Sequence, residues 1–155
     1  MYDFGNKSRE QFNTLHIDLQ LILKEVIRIY DFSILEGIRT TVRQQELFKN
    51  GRSKLDGINK KSKHQGRKDK DGNIVSFAVD IMPYKKNTNA FEDTEDARKR
   101  FYFLAGIMFS VTQRLLKKGK ISHNIRWGGD WQMDMVYNTK SEFVDLPHFE
   151  LIKVK

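Results

Sequence analysis

Cysteine is absent from all 155 residues, which excludes disulfides, thiolate nucleophiles and every zinc or iron–sulfur site that needs a thiolate ligand. A metal in this protein must rest on His, Asp or Glu. No segment approaches the ~20 apolar residues needed to cross a bilayer. The opening Met1-Tyr2-Asp3-Phe4-Gly5 lacks the basic-then-apolar order of a secretory signal, so the expectation is soluble synthesis without a cleaved leader. There is no internal repeat or low-complexity tract. Neither a helix-turn-helix signature nor a basic motif interleaved with aromatics is present.

What is present is 39% apolar residue and a formal charge of +8, from 28 Lys and Arg against 20 Asp and Glu. This length and composition predict one domain spanning 1–155 with a single core and no second module. The charge predicts attraction to a polyanion: nucleic acid, wall polymer or lipid headgroups. Basic residues are spread over several segments, Lys61 to Lys70 among them. A solvated basic surface accounts for them, and a nucleic-acid-binding module is the competing class.

Ser8 with Gln11 has the form of a capping box, followed by Phe12, Leu15, Leu19, Ile22, Leu23, Val26 and Tyr30 at helical spacing. This predicts one helix of about six turns. Phe32 to Ile38 reads as a strand delivering Arg39 to a sheet edge, and Thr41 to Asn50 as a short helix stopped by Gly51. The polar stretch from Gly51 to Asn73 carries the turn signal Asp71-Gly72. Ile74 to Met82 reads as a strand with Asp80 near its exit. A further helix is expected from Asp93 or Thr94 through Leu115, and strands at Ile125 to Trp127 and Phe149 to Val154. Without regular βαβ alternation, the fold class is α+β with a mainly antiparallel sheet.

Two of the four histidines have unusual company. His64 lies in Ser62-Lys63-His64-Gln65-Gly66, ahead of Ala78-Val79-Asp80, and His148 lies in Asp145-Leu146-Pro147-His148-Phe149-Glu150. Two imidazoles and a carboxylate are a ligand set that zinc accepts, with a fourth place open for water. A carboxylate three residues before a ligand histidine is placed to exchange protons with that water. On spacing alone, scattered His and Asp read more often as surface or hydrogen-bonded residues. No acid-rich strand motif surrounds His16 or His123.

At these positions the chain resembles the zinc peptidases of the D-alanyl-D-alanine carboxypeptidase and VanY type, and specifically the bacteriophage L-alanyl-D-glutamate endopeptidases that act as endolysins. The family pattern of Ser-x-His, Gly-x-Ala-x-Asp and a distal acid-x-x-His is met in order by Ser62, His64, Ala78, Asp80, Asp145 and His148. Phe4-Gly5 with Ser8, Gly37-Ile38-Arg39-Thr40, Arg126-Trp127-Gly128-Gly129-Asp130-Trp131 and His148-Phe149-Glu150-Leu151 resemble further family segments. In the family pattern His and Asp stand seven residues apart; here the separation, 80 minus 64, is sixteen. The extra segment, roughly Arg67 to Ser76, is expected to bulge as a hairpin between unmoved anchors. Failing that, Asp69 or Asp71 would replace Asp80.

The resemblance implies a D-alanyl-D-alanine peptidase/hedgehog-like fold, Zn2+ held by His64, Asp80 and His148, and Asp145 as general base and then proton donor to the leaving amine. It also implies Arg39 as the cation facing the oxyanion or a substrate carboxylate. Trp131 is expected to line the substrate groove or to pack, and Gln44 to orient the peptide or to stand solvated on its helix. Glu150 shares a strand face with His148 and reads as a partner of that ring or as a rim charge. The implied substrate is the peptidoglycan stem peptide, with a D,D-carboxypeptidase or dipeptidase as the near rival. The remaining expectations are a monomer made in the host cytoplasm, released toward the wall, and held by anionic wall or outer-membrane polymers.

Overall fold

In the computed structural model, residues 2–86, 94–134 and 144–154 are described. The order of elements is α1 (Asn6–Phe12), α2 (Ile17–Ile27), β1 (Phe32–Glu36), α3 (Thr41–Lys49), β2 (Arg67–Lys68), β3 (Ile74–Val75), β4 (Ala78–Pro83), α4 (Glu95–Lys117), β5 (His123–Trp127) and β6 (His148–Lys153). This is the α+β arrangement expected.

The long first helix is in fact two. Between them Leu15 bridges Ser76 in parallel, with His16 N donating to Ser76 O at 2.9 Å and Ser76 N to Thr14 O at 2.8 Å. Pairing with a distant strand thus takes the backbone groups that a continuous helix would use. The new start at α2 is capped by the His16 ring, whose Nδ1 accepts the Asp18 amide. With 11 residues, α2 is shorter than the ~12–15 an isolated helix needs in water. Its stability comes from burying Leu19, Ile22, Leu23 and Val26, each contributing about 1.5–3 kcal/mol.

The capping box also resolves differently. Gly5 is the N-cap of α1, with no side-chain cap bond. Ser8 Oγ instead accepts Ile34 N at 3.0 Å, Gln11 Oε1 accepts Gly37 N at 2.9 Å and Thr14 Oγ1 accepts Ile38 N at 2.9 Å. These amides belong to the edge strand β1 and its continuation, where, among the described residues, no further strand supplies acceptors.

The main sheet has the order β1-β4-β6-β5 with every neighbour antiparallel. Alternation assigns the two faces. Val79, Ile81, Phe149, Leu151, Ile125 and Trp127 enter the core, against which α4 packs with its stripe from Ala97 to Leu115. Asp80, His148, Glu150 and Arg126 share the other face through the pairs Asp80↔His148 and Arg126↔Glu150. A bulge between Ile34 and Glu36 brings Glu36 opposite Asp80. The strand read from Ile74 to Met82 is interrupted at Ser76 and Phe77, where Ser76 turns to α1 and Phe77 N donates to Lys63 O. Its first part, β3, pairs with β2 as a hairpin.

Candidate metal centre

His64 is set by a short turn. Ser62 Oγ accepts His64 N at 3.2 Å and Gln65 Oε1 accepts Ser62 N at 3.0 Å, which gives the Ser-x-His spacing its physical reason. Arg39 N donates to His64 O at 2.9 Å, tying this turn to the segment after β1. There the backbone comes close: a Cβ on Gly37 would fall 2.3 Å from Thr14 Oγ1. The Gly37 carbonyl accepts His64 Nδ1 at 2.7 Å, so the proton of the neutral ring sits on Nδ1 and its Nε2 carries a lone pair. Across the sheet, His148 Nε2 meets Glu150 Oε2 at 3.3 Å, leaving the lone pair of the neutral ring on Nδ1.

Those two nitrogens and Asp80 Oδ1 converge. His64 Nε2 and His148 Nδ1 each lie 3.1 Å from Asp80 Oδ1 and 3.2 Å from one another. With both outer nitrogens protonated, three acceptors face one another with no hydrogen between them, and a cation reconciles them. Two imidazole nitrogens and one carboxylate oxygen suit a divalent metal of the zinc type, so the residues fit the group. The electrostatics agree. Burial opposes the charge on Asp80, but the two rings outweigh it and hold its carboxyl well below the ordinary range. Burial likewise opposes a charged His148, yet Asp80 and Glu150 raise it to about 9, so without a metal a proton serves as the cation.

Arg39 stands behind Asp80. Its guanidinium donates to Asp80 Oδ2 at 3.2 Å, to Glu36 through both Nε and Nη2, and to Gln44 Oε1 at 2.9 Å. Gln44 is fully buried rather than solvated, and its amide donates to Ser53 Oγ and Leu55 O. Its polar atoms are thus engaged within the protein, where its Oε1 holds the Arg39 guanidinium. Sequence reasoning passed over Glu36, whose signal was an acid three residues before the arginine.

Asp145 lines the same cavity. Burial, and then the Asp80 charge, push its carboxyl above the ordinary value. Its backbone is clamped: Asp145 N donates to Gly128 O at 2.9 Å, His148 N to Asp145 O at 3.1 Å, and a Cβ on Gly128 would fall 2.2 Å from Asp145 O. A Cβ on Gly129 would meet the Trp127 ring at 2.4 Å, so each glycine of the pair has its own steric reason. Trp127 is core, with Nε1 donating to Leu146 O at 2.8 Å. Trp131 lies over the site, its ring 5.4 Å from His148 and 5.2 Å from the Arg126 guanidinium. The cavity is about 770 Å³ and is also lined by Arg39, Lys63, Arg67 and Glu150.

The extra segment between the first two metal-facing residues forms the β2/β3 hairpin. Asp69 Oδ1 accepts Asp71 N and Asn73 N at 2.9 Å each, and Gly72 takes a left-handed φ of 85°. Asp69 is thereby a turn residue, and among the described residues Asp80 joins the two histidines.

A family model for phage L-alanyl-D-glutamate peptidases matches residues 1–152. The chain belongs to the phage L-alanyl-D-glutamate peptidase family. An L-alanyl-D-glutamate peptidase of Escherichia phage T5 is 28% identical over 156 residues, covering 97% of this chain and 98% of that protein. The crystal structure of the Serratia marcescens L-Ala D-Glu endopeptidase ChiX shares the fold, with a TM-score of 0.62 at 23% identity over 96% of this chain and 89% of that one. Within this peptidase family the convergence of His64, Asp80 and His148 stands beside the β2/β3 hairpin, which lies between its first two members, sixteen positions apart in sequence.

Proposed function

We propose that this protein is a zinc-dependent peptidoglycan endopeptidase that hydrolyses the L-alanyl-D-glutamate bond of the wall stem peptide, as a phage endolysin does. The observation that carries it is the meeting of His64 Nε2, Asp80 Oδ1 and His148 Nδ1 within 3.2 Å of one another in the lining of one cavity. A zinc ion held by these residues supplies Lewis acidity, polarising the scissile carbonyl and acidifying a water.

The chain's own groups do the rest. Asp145 takes the proton of the attacking water and returns it to the departing amine, a role that its raised pKa suits. Arg39 fixes Asp80 through Oδ2 and presents its guanidinium to the cavity, where it stabilises negative charge on the substrate oxygen. Trp131 walls the groove beside His148. The 155 residues form one catalytic domain and act as a monomer, the +8 charge holding it to anionic wall or outer-membrane polymers. Among the described residues no helix is long and apolar enough to cross a membrane; the substrate lies in the wall, reached after synthesis in the host cytoplasm.

Digestion of purified peptidoglycan, with mass spectrometry of the new termini and metal analysis of the protein, tests this. The expected result is stoichiometric zinc and free N-terminal D-glutamyl ends. Released D-alanine would instead identify a D,D-carboxypeptidase.

A further inference from the structure

On the cavity wall formed by β5 and β6, positive charge exceeds negative. Arg126 stands directly across from Glu150 in register, with Nε and Nη2 donating to Glu150 Oε1 at 3.0 and 2.5 Å. Lys63 Nζ lies 3.7 Å from the same oxygen and donates to Leu151 O. Two cations therefore share one carboxylate oxygen, while the other oxygen of Glu150 is given to His148. Arg67, from β2, lines the same cavity and adds a third positive charge near Lys63. The opposite wall is different: there Arg39 is matched by both Glu36 and Asp80. Glu150 is buried, at 7% exposure of its side chain, but Lys63 and Arg126 keep 27% and 36% of theirs open. Both line the cavity beside Trp131 and His148. Partly exposed cations that outnumber the buried acid between them are suited to an incoming anion.

On the peptidase reading, on which this inference rests, the substrate brings such an anion. D-glutamate has two carboxyl groups, and at most one continues the chain. The residue that supplies the leaving amine thus carries a free carboxyl a few bonds from the scissile nitrogen. We propose that Arg126 and Lys63 form the subsite for this carboxylate, so that the protein selects stem peptides with unmodified D-glutamate over those in which the same carboxyl is amidated. Arg126 supplies directional donors from a guanidinium fixed by Glu150, and Lys63 a point charge beside it.

The test uses two synthetic stem peptides that differ only in that carboxyl, free or amidated, with kcat and KM measured for the parent protein, Arg126→Gln, Arg126→Lys and Lys63→Gln, each checked for metal content. The parent should favour the acid by on the order of tenfold to a hundredfold in kcat/KM. Arg126→Gln and Lys63→Gln should each bring the acid-to-amide ratio toward one, mainly through KM for the acid, and Arg126→Lys should restore part of it. Lys63→Gln keeps the test independent of the Arg126–Glu150 contact. Equal cleavage of both peptides by the parent, or variants that lose on both peptides alike with the ratio preserved, would overturn the subsite while leaving the peptidase reading intact. Cleavage of neither peptide by the metal-loaded parent would overturn both.

Discussion

Two clusters in this molecule have the same composition, two histidines and an aspartate, and opposite construction. In His64–Asp80–His148 the outer ring nitrogens are tied to Gly37 O and Glu150, and the inner nitrogens and Asp80 Oδ1 face one another at 3.1–3.2 Å. In His16–Asp18–His123 the donors point inward. Asp18 Oδ2 accepts Ser122 N, Ser122 Oγ, His123 N and His123 Nδ1 at 2.8–3.1 Å, and His16 Nδ1 is spent on capping α2. The first cluster has a place for a cation at its centre; the second is already satisfied and fastens the start of α2 to β5. Residue type and burial do not separate the two, whereas the partners of each ring nitrogen do.

The sharpest way to break this contrast is to remove a member of each. His148→Ala should lose bound metal and, with it, lytic activity by about a thousandfold or more, measured on purified walls. Asp145→Ala should fall in kcat by about 10²–10⁴-fold while retaining metal; loss of metal would make it a ligand instead of the base. Asp18→Asn should cost on the order of 3 kcal/mol of folding stability, lowering Tm by roughly 6–12 °C, with metal content and kcat of the folded protein kept. Burial works against the Asp18 charge, but hydrogen bonds from His123 and Ser122 outweigh it and hold its pKa below the ordinary value. Its stabilisation is therefore complete above about pH 4 and disappears as pH falls through the folded-state value. The Asn variant should flatten the acid limb of a Tm–pH profile. Glu150→Gln should weaken metal affinity by about 10–100-fold, read by competition with a chelator. Titration should saturate at one ion per chain, and two would erase the distinction between the clusters.

Much of this was legible in the sequence, for identifiable reasons. The α4 stripe and its start beside Thr94 are local signals, and they appear where periodicity placed them, while β6 runs from His148 to Lys153, one residue earlier at each end than the strand read there. The hairpin between His64 and Asp80 was foreshadowed by Asp71-Gly72, because a left-handed residue at a turn tip is a local requirement. The readings that failed depended on distant partners. The break at Asn13 to His16 exists because Ser76 pairs with the chain there. Ser8 and Gln11 serve the edge of β1 rather than their own helix. Gln44 has the sequence context of a surface helix residue, and only the packing of Ser53, Leu55 and Arg39 around it makes it buried. The span of Gln132 to Val144 that joins Trp131 to Asp145 lies largely outside the described residues.

The hairpin carries a final consequence. It closes its own hydrogen bonds at Asp69, Gly72 and Asn73, and its two ends are held by Gln65 against Arg39 and by Ser76 against Leu15. Between those fastenings Arg67, at the base of the hairpin, still lines the cavity, while the turn from Asp69 to Asn73 closes on itself. A change of length confined to that turn therefore acts on the cavity only through the base that carries Arg67, because both ends of the hairpin are pinned before His64 and Asp80 are reached.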